Sequence, residues 1–255
     1  MSLDASTLGI LWPALVAGLL VTATHVPLGM QVLERGIVFI DLAVAQVAGV
    51  GVIVADSLGW EPTGAAVQAA ALAAAFACAL LFTWTERHWP EVQEAMIGVV
   101  FVVASSVAIL LLAKNPHGGE HLRDLLAGQI LWVNSARLPV DALVNGVILA
   151  LWFGMRERLG RSGFYALFAC AVTVSVQLVG LFLVFVTLVV PALATFYSRR
   201  YRIFKAYAIG VLGYAVGLVL SATADFPSGA MIVCTMTLLG AAGFALAPRR
   251  QGKRS

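Results

Sequence analysis

The sequence predicts an all-α integral membrane protein: one domain, residues 1–255, folded as a single bundle of about nine transmembrane helices. Three observations predict it. Uncharged apolar stretches recur almost end to end, each about long enough to cross a hydrocarbon core of about 30 Å. Hydrophobic residues make up 61% of the chain and charged residues 11%, with a mean hydropathy of +0.94, where a soluble domain carries about 25% charge. Finally, threading the stretches through a bilayer places thirteen of the sixteen Lys and Arg residues on one face.

The stretches are Leu8–Met30, Ile37–Ala55, Pro62–Trp84, Ala95–Ala113, Leu138–Met155, Phe164–Val179, Leu181–Ser198, Ala206–Ala224 and Gly229–Ala247. Residues 164–198 are nearly continuous, too long for one crossing, so the run is split at Gly180, and Pro191 marks a kink beyond it. Nine crossings with the N-terminus outside put Arg35, Arg87, Arg156, Arg158 and Arg161 in the cytoplasm, with Arg199, Arg200, Arg202, Lys205, Arg249, Arg250, Lys253 and Arg254. Lys114, Arg123 and Arg137 remain outside. The expected location is therefore the plasma (inner) membrane, multi-pass, with the C-terminus cytoplasmic. The net charge of +3 faces anionic lipid headgroups and gives no reason to expect nucleic acid.

Enzymatic chemistry has no foothold in the motifs. The chain lacks a G-x-x-x-x-G-K-[S/T] loop, a G-x-G-x-x-G turn, H-E-x-x-H and G-x-S-x-G, so any ATP dependence has to come from another subunit. Cys78, Cys170 and Cys234 lie within apolar runs at unrelated spacings and read as small packing residues. The longest outer loop, residues 114–137, contains HLRDLLAGQILWV, whose roughly helical alternation suits a surface-lying amphipathic segment with Trp132 at headgroup depth. Its His117, Glu120 and His121 could bind Zn²⁺ or Mn²⁺ if the segment turns helical at Glu120, although the Gly118–Gly119 pair makes an incidental cluster the plainer reading.

Within the spans, ionisable groups are costly and tend to mark pathways. Asp41 is either a first-turn acid favoured by the helix dipole or a charge beside a route. Gln46 is either an interhelical hydrogen-bonding amide or a ligand, and His25 either packs or ligates. Asp41 and Gln46 are five residues apart, about 140° round a helix, so they cannot chelate one ion from one face. With the Gly180–Thr195 segment, these three are the expected polar lining of a translocation path.

Several segments resemble one family, the membrane permeases of ABC transporters for zinc, manganese and iron. They are LERGIVFIDLAVAQVAGVGV at 33–52, EAMIGVVFVVASSVAILLL at 94–112, DLLAGQILWV at 124–133, VTVSVQLVGLFLVFVTLVVPALAT at 172–195 and DFPSGAMIV at 225–233. The G-x-x-L-V-x-x-x-L-x-x-P-A-x-A-T run ending at Thr195 and the P-S-G-A of Pro227–Ala230 are the most specific. The resemblance implies a homodimeric permease for divalent transition metal ions, served by a cytoplasmic ABC ATPase subunit and an extracytoplasmic metal-binding protein. The transported ion is then cargo, and no cofactor is held permanently.

Two departures qualify what is carried over. Members typically place an Asp and, four residues later, a His on the second span as metal ligands; here Leu42 and Gln46 fall at those places, with Asp41 one residue early. The cytoplasmic loop that rests on the ATPase is shortened to RERLGRSG at 156–163. Arg158, Leu159 and Gly160, with Arg200 and Arg202 of the basic loop 198–205, are the expected ATPase contacts. The alternative is a protein of the same fold uncoupled from ATP, a secondary transporter or a non-transporting scaffold.

Overall fold

A computed structural model describes residues 5–61, 64–112, 130–155, 158–198 and 200–246. Among them nine α-helices follow one another: α1 Ala5–Arg35, α2 Ile40–Ser57, α3 Ala65–His88, α4 Gln93–Leu112, α5 Leu138–Met155, α6 Gly160–Val179, α7 Leu181–Ala194, α8 Arg202–Ala224 and α9 Ser228–Ala245. Two 3₁₀ turns, Pro90–Val92 and Ile130–Trp132, precede α4 and α5. Eight of the helices are long and apolar enough to cross a membrane. The exception is α7, whose 14 residues span about 21 Å, short of a full hydrocarbon core.

Turns fall where the chain supplies the conformations they need. After α1 the backbone turns left-handed at Gly36, and the Ile37 amide donates to the Val32 carbonyl, closing the last helical turn. Gly180 separates α6 from α7 at φ 88, ψ 163, a region of backbone space essentially reserved for glycine. The expected break in the 35-residue apolar run therefore lies at Gly180. Replacing Gly180 with Ala should destabilise the bundle by about 1–3 kcal/mol through strain alone. A lowered unfolding midpoint of the purified protein is the expected result; an unchanged one would place the break elsewhere.

Among the described residues the bundle has two large apolar cores that α1 runs through in turn, and a small third one where Ile53 of α2 meets Ala108 and Leu112 of α4. The first gathers Leu28 and Val32 with Ile40, Val44, Phe82, Phe164, Phe168 and Leu188. The second gathers Ala14, Ala17 and Val21 with Leu183, Val184, Tyr214, Leu218, Ile232 and Met236. Lipid tails are as apolar as leucine, so close packing, rather than the hydrophobic effect, holds helices together in a membrane. Among the glycine contacts the closest is between α1 and α7, where the Gly29 backbone lies directly against the Leu188 carbonyl. Outward faces are apolar, as at Val99, Val102, Val103 and Leu110 of α4, which suits lipid. The three cysteines are free; Cys78 packs in the first core and Cys170 lies at its edge, whereas Cys234 is exposed on the outward face of α9 and does not fill the packing role expected of it. His117, Glu120, His121 and most of the expected amphipathic segment lie outside the described residues; Trp132, at its end, is 82% exposed.

Candidate functional site

Asp41 is the second residue of α2 and is completely buried. Phe39, just before the helix, stacks on Phe185 of α7 with ring centroids 6.1 Å apart, which sets the start of α2 against the interior of another helix rather than against a loop. No side-chain hydrogen bond caps α2. Both carboxylate oxygens of Asp41 are buried without a partner; the backbone amides of Asp41 and Leu42 are approached but not engaged in hydrogen-bond geometry. Glu94, on α4, accepts from the Phe39 amide at 3.3 Å through Oε1, and its Oε2 is likewise unpartnered. The start of α2 thus presents buried carboxylate oxygens that no neighbour engages in hydrogen-bond geometry, an arrangement that favours a cation.

His25 is also fully buried, one helical turn before Gly29 on the side of α1 that meets α7. Its Nδ1 lies 3.1 Å from the Val21 carbonyl, which can only accept, so the tautomer that satisfies this contact carries its proton on Nδ1 and leaves Nε2 a lone pair. That Nε2 is buried and unpartnered. A histidine whose tautomer is fixed by a carbonyl, with the other nitrogen bare, has the form of a metal-ready ligand. Gln46, deeper on α2, is buried and makes no hydrogen bond with the described residues. No hydrogen bond joins His25, Asp41 and Gln46 to one another. Nor do three His, Cys, Asp or Glu side chains converge as a metal cluster among the described residues.

A second polar set was not legible in the sequence. Thr24 donates from its hydroxyl to Asn145 Oδ1 at 3.1 Å and lies 3.0 Å from His25 Nδ1. Asn145 in turn donates to the Asp141 carbonyl at 2.8 Å, and Arg137 approaches the Asp141 carboxylate at 3.7 Å. Asp141, Asn145 and Thr24 are all buried, and they join α5 to α1 through groups 121 residues apart. The available signal was the spacing of Asp141 and Asn145, four residues apart and so on one face of an otherwise apolar helix.

The residues expected to meet an ATPase gather at the end of the bundle where α1 finishes. Arg202 donates to Glu34 at 2.8 Å, pinning the start of α8 to α1. Glu86, from α3, lies 3.8 Å from Arg35 and 3.9 Å from Arg161, and Arg35 stacks over Phe164 at 4.2 Å, so the start of α6 is tied to the same place. Arg158 and Gly160 are exposed, and Leu159 is half-buried against the first core. Arg200 is exposed and stacks on Tyr201 at 4.9 Å. Both short basic loops therefore flank one surface, although Arg202 is already engaged within the chain.

The model of a family described as the ABC 3 transport family matches residues 7–162 and 153–247. The manganese transport system membrane protein MntC of Halalkalibacterium halodurans is 24% identical over 259 residues, covering 93% of this chain and 87% of that one. The chelated iron transport system membrane protein YfeC of Yersinia pestis is 28% identical over 223 residues, covering 78% and 73%. Among solved structures, PsaBC from Streptococcus pneumoniae in complex with Fab superposes with a TM-score of 0.76 at 19% identity, over 94% of this chain and 92% of that one, a likeness of fold.

Proposed function

We propose that this chain, which belongs to the ABC 3 transport family, is the permease subunit of an importer for divalent transition metal ions. As a family member it is a multi-pass membrane transport subunit rather than an enzyme. Manganese, zinc and iron are the ions in view, and the names of the manganese and chelated-iron relatives support that class of cargo. In this reading two copies form the pore. A separate ATPase docks on the surface flanked by loops 156–163 and 198–205, and an extracytoplasmic protein delivers the ion at the Arg137 end. The N-terminus is then outside and the C-terminus cytoplasmic, in the inner membrane.

The observation that carries the reading is the Asp41 carboxylate, wholly buried with neither oxygen satisfied. An ionised carboxylate in that state is strongly disfavoured unless a cation joins it. Asp41 supplies the charge that offsets a dehydrating ion, with Gln46 and His25 offering an amide oxygen and an imidazole nitrogen along the route. Binding would be weak, because Leu42 and Gln46 occupy the places where relatives of this kind are expected to hold an Asp and a His. His117, Glu120 and His121 would act at the outer mouth.

The short 156–163 loop favours the rival reading, a permease fold uncoupled from ATP. Purification from native membranes in mild detergent separates the two. The importer reading expects an ATPase chain to co-purify, with ATP hydrolysis lost when Arg158 and Arg200 are both changed to Glu. Wild-type chain that never retains an ATPase would overturn coupling and leave the rival.

A further inference from the structure

At the end of the bundle opposite Arg35 lies a cavity of about 290 Å³, lined by Trp132, Asn134, Arg137, Asp141, Gln177 and neighbouring apolar residues. It is separate from the start of α2: its walls are the 132–137 turn, the beginning of α5 and the last turns of α6. We propose that this cavity is a second cation site, in which Asp141 receives a partly hydrated divalent ion and Arg137 is the counter-charge that the ion displaces. The proposal rests on the reading of the cargo as a divalent cation.

Four features of the cavity point to such an ion. Asp141 is 4% exposed and lines the cavity, and its Oδ2 has no partner. A buried carboxylate oxygen open to a polar cavity is a ready ligand for a hard or borderline cation. The volume admits an ion with several waters, each occupying about 30 Å³ in the liquid. Arg137 is a loose partner: its Nε is 3.7 Å from Asp141 Oδ1 and its side chain is 48% exposed, so it can turn outward at little cost. Asn134 and Gln177, whose side chains carry amide oxygens, line the same walls, although Asn134 Oδ1 already accepts from the Ala136 amide at 3.0 Å.

Behind the cavity wall, a chain of hydrogen bonds runs from the Asp141 backbone toward α1. Asn145 holds the Asp141 carbonyl at 2.8 Å, Thr24 holds Asn145 at 3.1 Å, and Thr24 also touches His25, whose Nε2 is unpartnered. The Asp141 site is thus connected by fixed polar groups to the expected path.

The test uses the full chain in lipid nanodiscs with Mn²⁺ alone as probe, free Mn²⁺ being read by its electron paramagnetic resonance signal. In an Asp41→Asn background the cavity should still bind Mn²⁺. Adding Asp141→Asn should weaken that binding by about tenfold or more, the effect of losing one nearby unit charge. Adding Arg137→Gln instead should tighten it by about threefold or more, because the competing cation is gone; a merely structural ion pair would not produce tightening. If the Asp141→Asn protein misfolds, Arg137→Gln still decides. Absence of Mn²⁺ binding in the Asp41→Asn background, or Arg137→Gln binding no tighter than its parent, would overturn the site. Failure of the transport reading is distinguishable, since it is read as metal uptake unchanged by deletion of the chain and not as Mn²⁺ retention at Asp141.

Discussion

Changing Asp41 to Asn should abolish most metal uptake, by about tenfold or more, while leaving the protein at least as stable as before. The two halves have one cause. The Asp41 carboxylate is buried with both oxygens unpartnered, so in the empty protein it is a cost rather than a support. The isosteric amide removes that cost. What is given up is the favourable placement of an acid at a helix N-terminus, about 0.3–1 kcal/mol, which is smaller than the desolvation it relieves. A plain capping acid would behave in the opposite way: transport would persist and stability would fall slightly. Uptake assays and an unfolding midpoint on the same variant separate the cases, and wild-type uptake would remove Asp41 from the path.

The largest structural effect should come from Gly29→Ala. A methyl group there would be driven into the carbonyl of Leu188, and because both partners are backbone, neither can yield by changing rotamer. Relief requires α1 and α7 to separate, which would disturb Leu28 and Leu188 in the first core together with the turn of α1 that bears His25. A loss of about 3 kcal/mol or more is expected, at or beyond the top of the usual range for overpacking. Gly98→Ala on α4 is the control: its added carbon meets nothing nearby, so helix propensity alone should leave stability unchanged or slightly raised. Similar unfolding midpoints for the two variants would show that the α1–α7 approach is not tight.

Much of the fold was legible because it depends on local composition. Apolar lengths mark the helices, and the Gly180 break follows from a chain too long for one crossing and a residue that tolerates φ 88. The shortness of α7 was less accessible, because the apolar run continues through Thr195, Phe196 and Tyr197 after the helix has ended at Ala194. The polar site was legible only in part. Asp41, Gln46 and His25 stand out as polar residues in apolar runs, but whether a carboxylate is satisfied depends on neighbours from other helices. Thr24 looks like an ordinary helical threonine until Asn145 is brought beside it. Likewise Arg202 reads as a free docking charge until Glu34, 168 residues away, is seen to hold it.

The most direct test of the central claim, that this chain carries divalent metal across the membrane, is uptake of radiolabelled Mn²⁺ and Zn²⁺ by cells lacking the chain, with and without its restoration. The account predicts that uptake of at least one of the two ions falls on deletion and returns with the wild-type chain but not with Asp41→Asn. Uptake of both ions unchanged by deletion, in cells starved of metal, would contradict it.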